Sequence, residues 1–216
     1  VRRGKRFLEA LGQPVARRYL NWLQIFPEDL RASLYTDDFV ASLPGVDPFE
    51  FLGANWHRSQ GRDCVTRAST TDVLTYLPCD LCTKVDIASM AHGLEVRQPM
   101  LDHRLVEFAA TLPVSLKFRG NRGKLILQHA FGSKLPKGIF TRPKMGFGIP
   151  IAAWFRNELK PLVHDTLLAP DARIANYFRS DVVAELCRAH ETSQQNHGYR
   201  LWNLLILEKW LRRWTS

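Results

Sequence analysis

The sequence of 216 residues has no uninterrupted apolar run of the roughly 18 residues that a bilayer-spanning helix needs, so no membrane span is expected. No export route is expected either. The basic start Val1-Arg2-Arg3-Gly4-Lys5-Arg6 is followed by a stretch, Phe7 to Leu11, too short and broken for a signal peptide core. Cysteine is scarce: Cys64, Cys79, Cys82 and Cys187 are too few and too scattered for the disulfide framework of a small secreted domain. A soluble protein in a reduced, cytoplasmic setting is the expectation. Repeats and low-complexity tracts are absent, and almost nowhere do apolar and polar residues alternate as in a half-buried strand. Acidic residues are too few to balance a net charge of +9, yet the cations come in twos and threes, as at Arg2-Arg3, Arg17-Arg18 and Arg212-Arg213. Such an excess suits nucleic acid, an anionic surface, phosphorylated substrates or a lost acidic partner segment, and charge alone does not choose among them.

What is present is ordinary globular material, 45% apolar and 24% charged, with apolar residues recurring at helical spacing. The chain reads as mainly α. A first helical region runs from about Lys5 to Leu23, interrupted at Pro14; Pro27-Glu28-Asp29 opens a short helix to Leu34, and Asp37-Asp38 begins another. Leu43-Pro44-Gly45-Val46-Asp47-Pro48 is turn chemistry. A central helix is expected from Pro78 to His92, with Gly93 as its stop, then an extended segment, then a helix capped by Asp102. Asn121 is placed to cap the next helix, through Phe131. Leu135 to Pro150, with three prolines and three glycines, predicts an ordered loop. Ser193 to Gly198 reads as a polar linker before a helix from Tyr199 to Trp214 that is apolar on more than one face and expected to be buried.

Three constellations invite chemistry. Asp80 and Lys84, four residues apart, share a helix face; as a surface pair they contribute only roughly 0.3 to 0.5 kcal/mol. Asp86 lies among Ala88, Met90 and Ala91, where an unpaired carboxylate is costly, and Arg97 is the nearest candidate partner. Cys79-x-x-Cys82 has the spacing of a redox or zinc pair, but no second ligand pair accompanies it, and free buried thiols are the alternative expected here. In Thr141-Arg142-Pro143-Lys144-Met145-Gly146-Phe147-Gly148-Ile149-Pro150, two cations and two glycines suit a loop gripping phosphate, or else a solvated basic turn.

Taken together, these residues resemble the asparagine synthetase family. The run from Tyr76-Leu77-Pro78 through Asp80, Lys84-Val85-Asp86, Ala88-Ser89-Met90-Ala91-His92 and Leu94-Glu95-Val96-Arg97 to Leu101-Asp102-His103-Arg104 is similar to its central signature nearly residue for residue. Gly123-Lys124, Leu135-Pro136, Arg142-Pro143-Lys144-x-Gly146-Phe147-Gly148 and Gly198-Tyr199-Arg200-Leu201-Trp202 match in the same order, the likeness being strongest over residues 70–214. It implies a single partial domain over residues 1–216. This would be the helical C-terminal portion of an adenine-nucleotide α-hydrolase-like (ATP-pyrophosphatase) α/β domain, with the nucleotide-binding sheet and phosphate loop missing.

The resemblance implies an ATP- and Mg²⁺-dependent ligase that converts aspartate to asparagine through an aspartyl adenylate, using ammonia from glutamine. It carries over Lys144 as the catalytic cation and Asp80, Lys84, Arg142 and Gly146 as substrate- or ATP-binding residues. Asp86, Glu95, Arg97 and Asp102 are expected to form a structural network, and no residue is expected to ligate metal. Three positions depart from the family's usual residues: Cys79 for an acidic residue, Ile87 for arginine and Met100 for phenylalanine. Neither the family's Ser-Gly-Gly-x-Asp-Ser phosphate loop nor its N-terminal glutaminase domain is in this sequence, so the 216 residues are expected to be an inactive fragment by themselves, partnered by those segments and able to form a homodimer. The alternatives are a degenerate non-catalytic relative, a ligase for another carboxylate, a basic helical nucleic-acid binder and a helical interaction module. Binding to nucleic acid or membrane is not expected.

Overall fold

The computed structural model describes residues 12–45, 47, 49–143, 146 and 148–215, and nearly all of its regular structure is helical. The chain divides into two compact units: Val1–Tyr19 with Pro48–Gly146, and Leu20–Asp47 with Phe147–Ser216.

Helix α1 (Val15–Leu23), whose first five residues belong to the first unit, starts directly after Pro14, whose fixed φ and missing N–H suit a helix entry. A hairpin of α4 (Phe49–His57) and α5 (Cys64–Leu74) forms the buried part of this unit. Trp56 is its centre, with the Tyr19 ring 5.4 Å away and the Arg67 guanidinium 4.7 Å above its face. Asp63 caps α5 by accepting from the Thr66 N–H at 3.0 Å, and buried Thr71 and Thr75 hydroxyls donate back to carbonyls four residues earlier.

Beyond α5 the character changes. A π-helical turn, Leu77–Cys82, runs into α6 (Thr83–Met90), then come a 3₁₀ turn at Pro99–Leu101, α7 (His103–Thr111) and α8 (Val114–Lys117). The two-residue strands β1 (Phe118–Arg119) and β2 (Arg122–Gly123) form a hairpin before α9 (Leu125–Phe131). From Tyr76 to Pro150 none of the described residues is buried. The hairpin corrects one expectation. Asn121 caps no helix; it sits with Gly120 (φ +58) in the turn between Arg119 and Arg122, a glycine at the first turn position being what a tight hairpin requires, and Lys124 takes the cap position instead.

The second unit holds the large core. It comprises α2 (Glu28–Leu34), α3 (Asp37–Ser42), α10 (Ile151–Trp154), α11 (Lys160–Leu167), a 3₁₀ turn at Arg173–Asn176, α12 (Ser180–Glu191) and α13 (Gly198–Trp214). Leu34, Phe155, Val163, Ile174, Val183, Leu201, Leu204 and Leu205 pack together, and Tyr35, Phe39, Tyr177 and Phe178 form an aromatic cluster beside them. Glu208 is fully buried yet satisfied: it accepts the N–H groups of Arg173 (3.1 Å) and Ile174 (2.8 Å), opening the 3₁₀ turn, and pairs with Arg212 at 2.5 Å. The helix expected to be buried all round, α13, buries one face only; Tyr199, Ile206, Trp210 and Trp214 are exposed.

Candidate functional site

The signature segment is shaped by three local devices. Pro78 has no N–H, so the turn that starts there winds wide, and the Thr83 hydroxyl donates to the Pro78 carbonyl at 2.7 Å, closing a span of five residues. Helix α6 ends at Met90, and Gly93, the expected stop, closes the turn that follows: its φ of +65 lets the Gly93 N–H reach the Met90 carbonyl (2.9 Å) and the Leu94 N–H reach that of Ser89 (3.1 Å). Asp102 then caps α7 through the Arg104 N–H at 3.0 Å.

These devices fold the segment around a cleft of about 780 Å³. It is lined by Cys82, Thr83, Val85 and Asp86 from the helix, and by Val96, Arg97, Gln98, Pro99, Leu101 and Asp102 from the returning strand-like stretch. That volume suits a small-molecule ligand. Three of the four residues expected to form a network therefore share one cleft, but not as mutual ion pairs. Arg97 pairs with its neighbour Glu95 at 2.7 Å, and Asp102 with Arg104 at 2.9 Å. Among the described residues Asp86 has no ion-pair partner; its side chain is exposed, so water solvates it and the expected pairing with Arg97 is not needed. The side-chain and backbone hydrogen bonds from Arg104 hold the Asp102 carboxyl below the usual carboxylate range.

Asp80 and Lys84 lie at the start of the same segment, 3.5 Å apart and about half exposed. In the basic loop, Arg142 is exposed and its N–H returns to the Gly138 carbonyl at 2.9 Å. A methyl group added at Gly146 or Gly148 would meet no described atom, so neither glycine is required by packing. Lys144, the expected catalytic cation, lies outside the described residues. Cys79 and Cys82 are free, but Cys79 is exposed and Cys82 half-buried, which corrects the expectation of buried thiols; the open turn from Leu77 leaves them uncovered. Among the described residues no three His, Cys, Asp or Glu side chains gather as a metal site. The departures Cys79, Ile87 and Met100 are all on the surface, so none disturbs a core.

Sequence reasoning missed the π-helical turn and a histidine pair in the second unit. His190 is fully buried, with Nε2 hydrogen-bonded to the Ala152 carbonyl at 3.1 Å and Nδ1 accepting the His197 N–H at 3.1 Å, which defines the neutral tautomer carrying its proton on Nε2. Burial, then nearby Arg156, lowers its pKa; burial and Arg200 bring that of His197 down to about 4. Together they seat α10, which follows Pro150 at the end of the basic loop. No run of sequence announces this, because the partners are 38 residues apart.

The chain is mostly helical, and residues of its signature segment line one charged, ligand-sized cleft. It belongs to the asparagine synthase family: the family's model matches residues 2–212. The chain is 26% identical over 208 residues to asparagine synthetase [glutamine-hydrolyzing] 1 of Bacillus subtilis, covering 96% of this chain and 32% of that protein. It is 32% identical over 173 residues to a Mycobacterium bovis protein provisionally named as a glutamine-hydrolysing asparagine synthetase, covering 78% and 26% respectively. To the asparagine synthetase of Gallus gallus it is 39% identical over 95 residues, covering 39% of this chain and 17% of that one. The chain thus spans about a third or less of the length of these relatives. No solved structure matches it.

Proposed function

We propose that this chain is the helical C-terminal part of the synthetase domain of an ATP-dependent ligase that makes asparagine from aspartate with ammonia drawn from glutamine. The observation that carries the reading is the convergence of the family signature, Val85 to Asp102, on one cleft. The absence of any buried residue among those described from Tyr76 to Pro150 supports a second point, that this face is completed by the nucleotide-binding sheet and phosphate loop of a longer polypeptide.

In the proposed reaction an oxygen of the aspartate side-chain carboxylate attacks the α-phosphorus of ATP and pyrophosphate leaves. Ammonia then attacks the activated carbonyl carbon, AMP departs, and a proton is lost to give the amide. Negative charge gathers on phosphate oxygens in both steps, so fixed cations stabilise the transition states more than the ground state. Lys144 is assigned that role, with Arg142 and Gly146 from the same loop and Asp80 and Lys84 from the signature helix contacting substrate or nucleotide. Asp86, Arg97 and Asp102 shape the cleft wall, and Glu95 pairs with Arg97 beside it. Mg²⁺ would enter with the nucleotide phosphates and neutralise part of their charge. By itself the chain is proposed to be inactive.

In the full-length ligase containing this chain, Lys144→Ala is expected to lower aspartate-dependent ATP–pyrophosphate exchange by about 100-fold or more. Exchange at the unmodified rate would overturn the assignment.

A further inference from the structure

Downstream of the signature segment, the short hairpin of β1 and β2 sets two cations face to face. Its register pairs Arg119 directly with Arg122, on either side of the Gly120-Asn121 turn. Like charges directly opposite each other destabilise a strand pair, and nothing beside these two offsets the cost. No Asp or Glu occurs in the sequence between Glu107 and Glu158, and among the described residues neither guanidinium has a hydrogen bond or an ion pair. Lys117, just before the hairpin, is by contrast committed: its Nζ donates to the Ala109 carbonyl at 3.0 Å.

The two arginines line a second cavity, of about 400 Å³, which shares no residue with the cleft of the signature segment. Helix α8 contributes Ser115 and Leu116, and α9 contributes Leu125 and His129, four apart and so on one helix face. Lys124, at φ +58, makes the sharp turn from β2 into α9; a side chain held in the left-handed region is uncommon, and such residues cluster at ligand sites. The lining is thus two guanidinium forks, an imidazole and a hydroxyl over two leucines, with no acid. A carboxylate has two oxygens and occupies one fork. The three free oxygens of a phosphate monoester accept from both, with Ser115 and His129 as further donors. The leucines give the rest of the ligand an apolar bed, and the volume is at the small end of ligand sites. We propose that this cavity binds a small phosphate monoester with an apolar or planar body, at a site separate from the signature cleft. Nucleic acid fits it less well, because the cations converge on one cavity instead of tracking the successive phosphates of a strand. This proposal does not depend on the ligase reading.

Calorimetric titration of the 216-residue chain with phenyl phosphate tests it, with inorganic phosphate and phenol alongside. Phenyl phosphate is expected to bind more tightly than either, and more weakly as salt is raised. Arg119→Gln and Arg122→Gln should each weaken it by about tenfold or more, with unchanged helix content by circular dichroism. Arg58→Gln, which removes an exposed charge just after α4, should not. In proton NMR spectra the ring signals of His129 should shift on titration while those of His57, at the end of α4, stay in place. Without ligand, the two arginine variants should leave the His129 signals where they are, which separates a lost contact from a lost fold. Absence of binding, binding that neither arginine variant weakens, inorganic phosphate binding as tightly as phenyl phosphate, or an unmoved His129 each overturns the proposal. So does a single-stranded oligonucleotide that binds more tightly than phenyl phosphate through the same arginines, which would make this a nucleic-acid surface.

Discussion

Gly198 lies so close to Ala152 that a Cβ on residue 198 would stand 3.1 Å from both Cα and Cβ of Ala152. The first residue of α13 is thereby fitted to α10, the helix that follows the basic loop. Gly198→Ala should destabilise the second unit by about 1 to 3 kcal/mol, because the obstacle includes backbone atoms that yield little. Urea denaturation followed by circular dichroism checks it, and Ala152→Gly in the same chain should restore part of the loss.

The histidine pair beside that contact makes stability depend on pH. His190 and His197 are held neutral in the fold, mainly by burial, with Arg156 and Arg200 adding repulsion and Glu191 and Glu185 opposing it weakly. Both folded pKa values are lowered, so the unfolded chain binds more protons below their ordinary value of 6.5. Their contribution is fully present above that pH and is lost as pH falls through the window from 6.5 to about 4. Melting temperature measured from pH 7.5 to 4 should fall across that window, and His197→Gln should flatten the slope.

Removing the Glu208 carboxylate strands two backbone N–H groups and leaves Arg212 with Asp171 as its remaining partner. Glu208→Ala is expected to cost about 3 to 5 kcal/mol, and Glu208→Gln less, since an amide oxygen still accepts from the 3₁₀ turn. Chemical denaturation of the two variants side by side gives the ranking, and equal losses would contradict it.

Gly93→Ala meets no nearby atom, so its cost is backbone strain alone, about 1 to 2 kcal/mol for a left-handed residue. A loss below a few tenths of a kcal/mol would show that the chain can re-route after α6 without the glycine.

The Asp80–Lys84 pair, half exposed, should contribute no more than about 0.5 kcal/mol to stability in a double-mutant cycle with Asp80→Asn and Lys84→Met. Any larger effect of the same substitutions on catalysis by the proposed full-length ligase then reports contact with substrate, not folding.

What was legible in the sequence follows from how local each cause is. Pro14, Pro27, Gly93 and Asp102 act on their own backbone or on an N–H two to five residues away, and the helices start and stop where those residues stand. The wide turn after Leu77 was not legible, since Pro78 suits an α-helical first turn as well, and the Thr83 hydroxyl that closes the wide one looks like any helical threonine. Asn121 is ambiguous in sequence because asparagine serves as helix cap and turn residue alike; the pairing of Phe118 with Gly123 decides between them. Asp86 looked buried from its apolar neighbours in sequence, yet the helix carrying it lies open to solvent. The cleft itself was foreshadowed only by the family resemblance, which marked its residues without arranging them.

The thiols supply a practical handle. Cys187 is buried in the core, with its pKa pushed up to about 12 by burial, and thus unreactive at neutral pH, whereas Cys79 is exposed beside Asp80 at the head of the signature helix. Once the other exposed cysteine, Cys64, and the half-buried Cys82 are replaced, a single fluorophore on Cys79 becomes a spectroscopic reporter within reach of the segment that lines the cleft, readable by intensity or anisotropy without any turnover.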